Sequence, residues 1–243
     1  MFIALDKKNE RISIENANNS QEYFCPICKE KLIIKAASSD NIRTYFSHIH
    51  KCEDDFDHDM SEWHWNWQQQ FPEQNREIVV EKNGVKHRAD VLINDTVIEF
   101  QHSQISSEEI KKRNDFYLSS GYNMVWVFDV DGKIKSIFNE SIDPYVCLYD
   151  ELCWKKKNLQ FKEKMPPEVK VFFQYKTKLS IQKYSDTVFD ILILMTEISD
   201  KYLSFYKTGN QYITPYNFLK EFGISKNNET MSISEILLKS KGK

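Results

Sequence analysis

His87-Arg-Ala-Asp-Val-Leu-Ile-Asn-Asp-Thr-Val-Ile-Glu-Phe-Gln101 reads as two β-strands joined by a tight Asn94-Asp95 turn. Side chains alternate along a strand with period two. Arg88 and Asp90 therefore share one face of the first strand, and Glu99 and Gln101 share one face of the second. Ala89, Val91, Ile93, Val97, Ile98 and Phe100 make the rest of the hairpin apolar. Antiparallel pairing lets Asp90 and Glu99 converge at the edge of that sheet. Two carboxylates placed so are costly to bury unless positive charge sits between them, and a divalent cation meets that need. The competing reading is a solvent-facing acid pair on an ordinary alternating hairpin. Three neighbouring features favour the cation: an acid on an upstream helix, a capped helix downstream, and a cluster of metal-ligating residues ahead of both.

The upstream helix is Ser61-Glu-Trp-His-Trp-Asn-Trp-Gln-Gln-Gln-Phe71, ended by Pro72. Ser61 is a candidate N-cap. Trp63, Trp67 and Phe71 recur at i, i+4 and i+8 and predict a core stripe. Glu62 and Asn66 lie on a neighbouring face. A first-turn acid favours the helix dipole, so Glu62 has a structural explanation beside a functional one. His64 reads as a packed or surface histidine. Downstream, Glu77 to Lys82, the Asn83-Gly84 turn and Val85 to Ile93 predict a further hairpin. Ser106 or Ser107 caps a helix with early acids that stops at Gly121. The run Met124-Val-Trp-Val-Phe128 predicts a buried central strand. Helix, three strands, helix, strand is the order of a mixed α/β core.

Ahead of the helix stands Cys25-Pro-Ile-Cys28. Nineteen residues intervene before His48, and three more before Cys52. Lys31 to Lys35 and Arg43 to Phe46 alternate between them like a small hairpin. Cys25, Cys28, His48 and Cys52 supply four soft or borderline ligands from two turns, the set for tetrahedral, structural Zn²⁺ with no open position. His50 competes with Cys52 for the fourth place. A redox dithiol is disfavoured because no strand-helix context follows Cys28. Glu53 to Asp59 reads as an acidic linker, and His58 as a solvated histidine within it.

Beyond Asp143-Pro144, Val169 to Tyr175 and Lys178 to Lys183 read as strands. Thr187 to Tyr206, Pro215 to Phe222 and Ser232 to Lys239 read as helices, giving a mainly helical C-terminal extension. Between Glu151 and Lys183 nine lysines face three acids, whereas Glu53 to Glu62 holds six acids and no base. Each run taken alone is a solvated face; the lysines, beginning at Lys155 and Lys156, are also candidate phosphate contacts. The formal net charge of −3 does not announce a nucleic-acid binder. No stretch is long and apolar enough to span a membrane, and Met1 to Asp6 lacks the pattern of a signal peptide. Five cysteines, an odd number with Cys147 and Cys153 far from the cluster, point to thiols and a metal rather than a disulfide framework. A soluble cytoplasmic protein is expected.

Taken together, Cys25-Pro26-x-Cys28, Tyr45-Phe-Ser-His48 with Cys52, Ser61-Glu-Trp-His64, His87-Arg-Ala-Asp-Val91, Ile98-Glu-Phe-Gln101 with Ser103 and Ile105-Ser106, Arg113, Tyr117 and the Met124–Phe128 strand resemble the competence protein CoiA-like family, placed in the PD-(D/E)XK nuclease superfamily. The resemblance covers roughly residues 22–130 in uninterrupted order. It implies a restriction-endonuclease-like mixed sheet flanked by helices at 59–150, behind a zinc-finger-like β module at 1–58 and before an extension at 151–243. It implies catalytic Mg²⁺ or Mn²⁺ held by Asp90 and Glu99, with Glu62 as the helix acid that completes many such sites. Gln101 stands where the superfamily usually has lysine, and Gln68 where many relatives carry one. Arg88, Arg113, Lys155 and Lys156 are the expected contacts to nucleic acid. The implied activity is metal-dependent hydrolysis of DNA phosphodiesters in DNA processing. Two alternatives stand beside it: a zinc-containing adaptor that binds DNA or protein with little or no catalysis, and a nuclease effector of anti-phage defence whose C-terminal region meets a protein partner.

Overall fold

The computed structural model of the chain describes residues 1–35, 43–50, 61–137, 151–154, 165–178, 188–194, 204–206, 212–213 and 215–224. Cys52, His58, Cys147, Lys155, Lys156, the acidic linker and the helix expected at 232–239 lie outside the described residues. No helix among the described residues is long and apolar enough to cross a membrane. The chain divides into two compact units, Met1–Glu99 and Phe100–Lys243.

The first unit opens with a five-stranded antiparallel sheet: β1 (Ile3–Leu5), β2 (Arg11–Ser13), β3 (Tyr23–Phe24), β4 (Lys31–Lys35) and β5 (Tyr45–His48), in the order β2-β1-β3-β4-β5. Its core gathers Met1, Phe2, Ala4, Ile14, Tyr23, Cys25, Leu32 and Phe46, and receives Trp65 from the helix that follows. That helix, α1 (Glu62–Gln68), begins where expected, with the Ser61 hydroxyl accepting the His64 amide N–H. The buried tryptophans are Trp65 and Trp67, with Trp63 only half-buried. Trp67 and Phe71 of the predicted stripe are buried, and the stripe is corrected at Trp63, with Trp65 buried instead. The small sheet offers apolar surface to Trp65, whose ring centroid lies 4.3 Å from that of Phe2, and this contact sets the rotation of α1.

β6 (Arg76–Lys82), β7 (Val85–Ile93) and β8 (Thr96–Gln101) form the expected meander. The Asn83-Gly84 and Asn94-Asp95 turns have positive φ at both central residues, as two-residue hairpins require. β7 and β8 are antiparallel with Val91 facing Ile98 and Leu92 facing Val97. The pairing ends there, one residue short of Asp90 on β7 and of Glu99 on β8. Glu77 sits near the start of β6 with φ +46. Its buried carboxylate accepts the Phe2 amide at 2.9 and 3.1 Å and the Ile3 amide at 3.0 Å. The opening strand of the chain is thus hydrogen-bonded to a residue seventy-five positions away.

In the second unit, the C-terminal end of β8 leads through α2 (Ser107–Ser119) to β9 (Asn123–Asp129). Ser106 caps α2 by accepting the Glu109 amide at 3.0 Å, and Gly121 ends it at φ +88. The central strand β9 is buried as expected: Met124 to Phe128 are all at most 4% exposed. Trp126 buries its indole N–H by donating to Asn114 Oδ1 at 2.8 Å. β12 (Val169–Lys178) runs parallel to β9 and antiparallel to β13 (Val188–Leu194), which pairs with β15 (Tyr212–Ile213). The sheet order here is β8-β9-β12-β13-β15, with β8 shared by both units. A separate antiparallel sheet joins β10 (Ile134–Ile137), β11 (Glu151–Trp154) and β14 (Ser204–Tyr206). The helix expected over Thr187–Tyr206 is corrected to β13 and β14, so the described part of the extension is mainly strand rather than mainly helix. Only α3 (Pro215–Glu221) matches a helix predicted there. The apolar spacing of Val188, Ile191 and Leu192 fits a helical stripe, but Val-Phe-Asp-Ile-Leu-Ile-Leu is β-branched and aromatic, and β12 offers it an open edge. The chain is α/β with a mixed sheet behind a small antiparallel sheet.

Candidate metal centres

Two groups of ligand-type side chains lie in the first unit. In the small sheet, one ligand atom each from Cys25, Cys28 and His48 lie within 4.8 Å of one another. Cys25 and Cys28 flank a tight turn: the Cys25 amide donates to the Glu30 carbonyl at 2.8 Å, the Lys29 amide to the Cys25 carbonyl at 3.0 Å, and Lys29 takes φ +63. His48 arrives on β5, across from Leu32. Cys28 Sγ and His48 Nε2 are 3.5 Å apart, close to the ~3.6 Å edge of a tetrahedron with zinc–sulfur and zinc–nitrogen bonds of about 2.3 and 2.05 Å. Burial pushes the Cys25 thiol up, and the amide N–H groups of Cys28 and Ile27 oppose it. The cluster could hold a metal such as zinc. His50 is exposed, and Cys52 lies outside the described residues.

The second group surrounds Asp90. α1 projects His64 and Gln68, one turn apart and so on one helix face, onto its carboxylate. His64 Nε2 lies 2.9 Å from Asp90 Oδ1, and Gln68 Nε2 lies 3.3 Å from the same oxygen. Gln68 and Glu99 are each 1% exposed. Burial by itself lowers the basicity of the His64 imidazole. The charge and hydrogen bond of Asp90, with the charges of Glu99 and Glu77, outweigh it and hold the ring above its ordinary 6.5.

Other expected site residues fall elsewhere. Glu62 is 65% exposed, and its carboxylate faces Arg43 at 3.8 Å; the α1 residues that reach Asp90 are His64 and Gln68. Arg88 is buried, with Nη1 3.5 Å from Met1 Sδ. Arg113 is buried on α2, paired with Glu109 at 2.9 Å and 6.0 Å from the Trp126 ring. Both residues are buried, and the Glu109 pair gives Arg113 a structural ion-pair role. Gln101 donates to the Ser103 carbonyl at 2.9 Å and its hydroxyl at 3.1 Å. The sequence reading passed over His64 as packing and did not single out Glu77. The available signal was a polar i, i+4 pair, His64 and Gln68, inside a tryptophan-rich helix.

Residues 63–148 belong to a nuclease-like class of domain: they match the model of the competence protein CoiA nuclease-like domain. Residues 6–54 match the CoiA N-terminal domain, and the two matches take in over half of the 243 residues. The chain belongs to the CoiA-like competence protein family. No curated protein and no solved structure matches it.

Proposed function

We propose that this protein is a Mg²⁺- or Mn²⁺-dependent nuclease that hydrolyses DNA phosphodiesters in competence-like DNA processing. One observation carries the reading: the stretch that matches the nuclease-like domain holds Asp90 on β7 and Glu99 on the next strand, β8, and the charges of both acids raise the basicity of His64. The donors fit the ion. Mg²⁺ takes hard oxygen ligands, commonly one or two carboxylates with the remaining positions left to water and phosphate. Bound there, a divalent cation supplies Lewis-acid polarisation of a phosphoryl oxygen and a lower pKa for the attacking water.

The chain's own residues do the rest. Asp90 and Glu99 bring the negative charge that binds the cation. Gln101 shares a strand face with Glu99 and can orient water by hydrogen bonding, but unlike lysine it cannot offset developing charge. Lys155 and Lys156 open the lysine-rich stretch and serve as sequence-independent contacts to the phosphate backbone. Cys25, Cys28, His48 and Cys52 hold a structural Zn²⁺, which ties the two turns of the small sheet together.

The test incubates purified protein with labelled single- and double-stranded DNA and RNA in Mg²⁺, Mn²⁺ or EDTA, beside Asp90→Ala. Divalent-dependent cleavage of DNA that EDTA and the substitution both abolish is the expected result. Cleavage by Asp90→Ala at the wild-type rate refutes the site. A second reading, an adaptor that binds without cutting, draws on the Gln101 amide, which is engaged by Ser103. Nucleic-acid binding with no cleavage in any metal would establish it.

A further inference from the structure

We propose that His64 and Gln68 are positioning residues that fix the Asp90 carboxylate through Oδ1 for the divalent cation. The inference rests on the metal-dependent reading above and deepens it at one atom. An unrestrained aspartate rotates about its side-chain bonds and offers either oxygen, or both. Here one oxygen has two donors from a single helix face: His64 Nε2 at 2.9 Å and Gln68 Nε2 at 3.3 Å. Gln68 Nε2 also lies 3.5 Å from the Asp90 backbone carbonyl, so the amide is placed against strand β7 as well as against the side chain.

The donors are themselves held. Trp65, between them on α1, is anchored in the core of the small sheet against Phe2, and the Arg43 guanidinium covers its ring at 5.2 Å. Ser61 caps the helix through the His64 amide itself. Hydrogen-bond partners behind a ligand commonly change metal affinity 10–100-fold when removed.

The test is Mn²⁺ titration followed by electron paramagnetic resonance on the full chain: wild type, Asp90→Ala, His64→Ala, His64→Gln and Gln68→Leu. Far-UV circular dichroism and zinc content report folding. His64→Gln retains a donor near the position of Nε2, and Gln68→Leu is close to isosteric and tests the second contact without touching the imidazole. Mn²⁺ affinity is expected to fall about 10–100-fold in His64→Ala, less in Gln68→Leu, and to return close to wild type in His64→Gln. Wild-type affinity in folded His64→Ala overturns the proposal. If His64→Ala does not fold, His64→Gln and Gln68→Leu decide: His64→Gln binding as weakly as Asp90→Ala, or Gln68→Leu binding like wild type, overturns it. If the wild type binds no Mn²⁺ that depends on Asp90, the metal-dependent reading itself fails and takes this inference with it. That result is distinct from one in which wild type binds and His64→Ala is unchanged.

Discussion

His64 Nε2 and Asp90 Oδ1 are 2.9 Å apart, and both side chains are largely shielded, 16% and 14% exposed. The pair joins a residue of α1 to a residue of β7, and through Asp90 to the strand that carries Glu99. Its surroundings determine how it responds to pH.

In metal-free protein the folded-state pKa of His64 is raised above its ordinary 6.5 by Asp90, Glu99 and Glu77 acting against burial. A raised folded pKa means that the native state binds the proton more tightly than the unfolded chain. The stabilisation is fully present below the unfolded value and is lost as pH rises through the folded one. Urea midpoints measured without added Mg²⁺ or Mn²⁺ are expected to fall as pH rises above the ordinary histidine value. His64→Leu should flatten the fall; an unchanged pH dependence in that variant would remove the assignment.

Glu77 ties β1 to β6 through the amides of Phe2 and Ile3. Glu77→Ala leaves two buried donors without their acceptor, at ~1–3 kcal/mol each. A loss of ~2–5 kcal/mol is expected by urea unfolding. Glu77→Gln keeps one acceptor oxygen and should fall between. Full stability of the alanine variant would show that water replaces the carboxylate.

The Cys25, Cys28, His48 cluster predicts about one zinc per chain by elemental analysis, bound by deprotonated thiols. Chelation or Cys25→Ser should lower Tm by ~10 °C or more, as expected for losing several kcal/mol in a domain of this size. Trp65 fluorescence should change with it, because Trp65 packs in the same core as Cys25. A zinc-free preparation with an unchanged melting curve would leave the cluster without a structural metal.

Lys155 and Lys156 are assigned to backbone phosphates. Replacing both with alanine removes two contacts, and the slope of log K against log salt should become shallower by ~1.8. An unchanged slope would place both lysines off the nucleic-acid path.

Features decided over short range were legible in the sequence. The Asn83-Gly84 and Asn94-Asp95 turns, the Ser61 and Ser106 caps, the Gly121 stop and the Cys25–Cys28 knuckle each depend on a few adjacent residues and the φ values or hydrogen bonds those residues can adopt. The strand period likewise placed Asp90 and Glu99 on two consecutive strands, β7 and β8.

Tertiary structure decided the rest. Which face of α1 meets Asp90 depends on where Trp65 is buried, and that depends on a core built by strands up to sixty residues away. Helix periodicity names faces but not neighbours, so the sequence favours Glu62 as the site residue of α1, whereas the docked helix brings His64 and Gln68 to Asp90. Arg88 and Arg113 read as phosphate contacts because charge favours the surface; their burial against Met1, and against Glu109 and Trp126, is a property of the packed units. The strands β13 and β14 displaced a helix because an open strand edge supplies backbone partners that local propensity does not register.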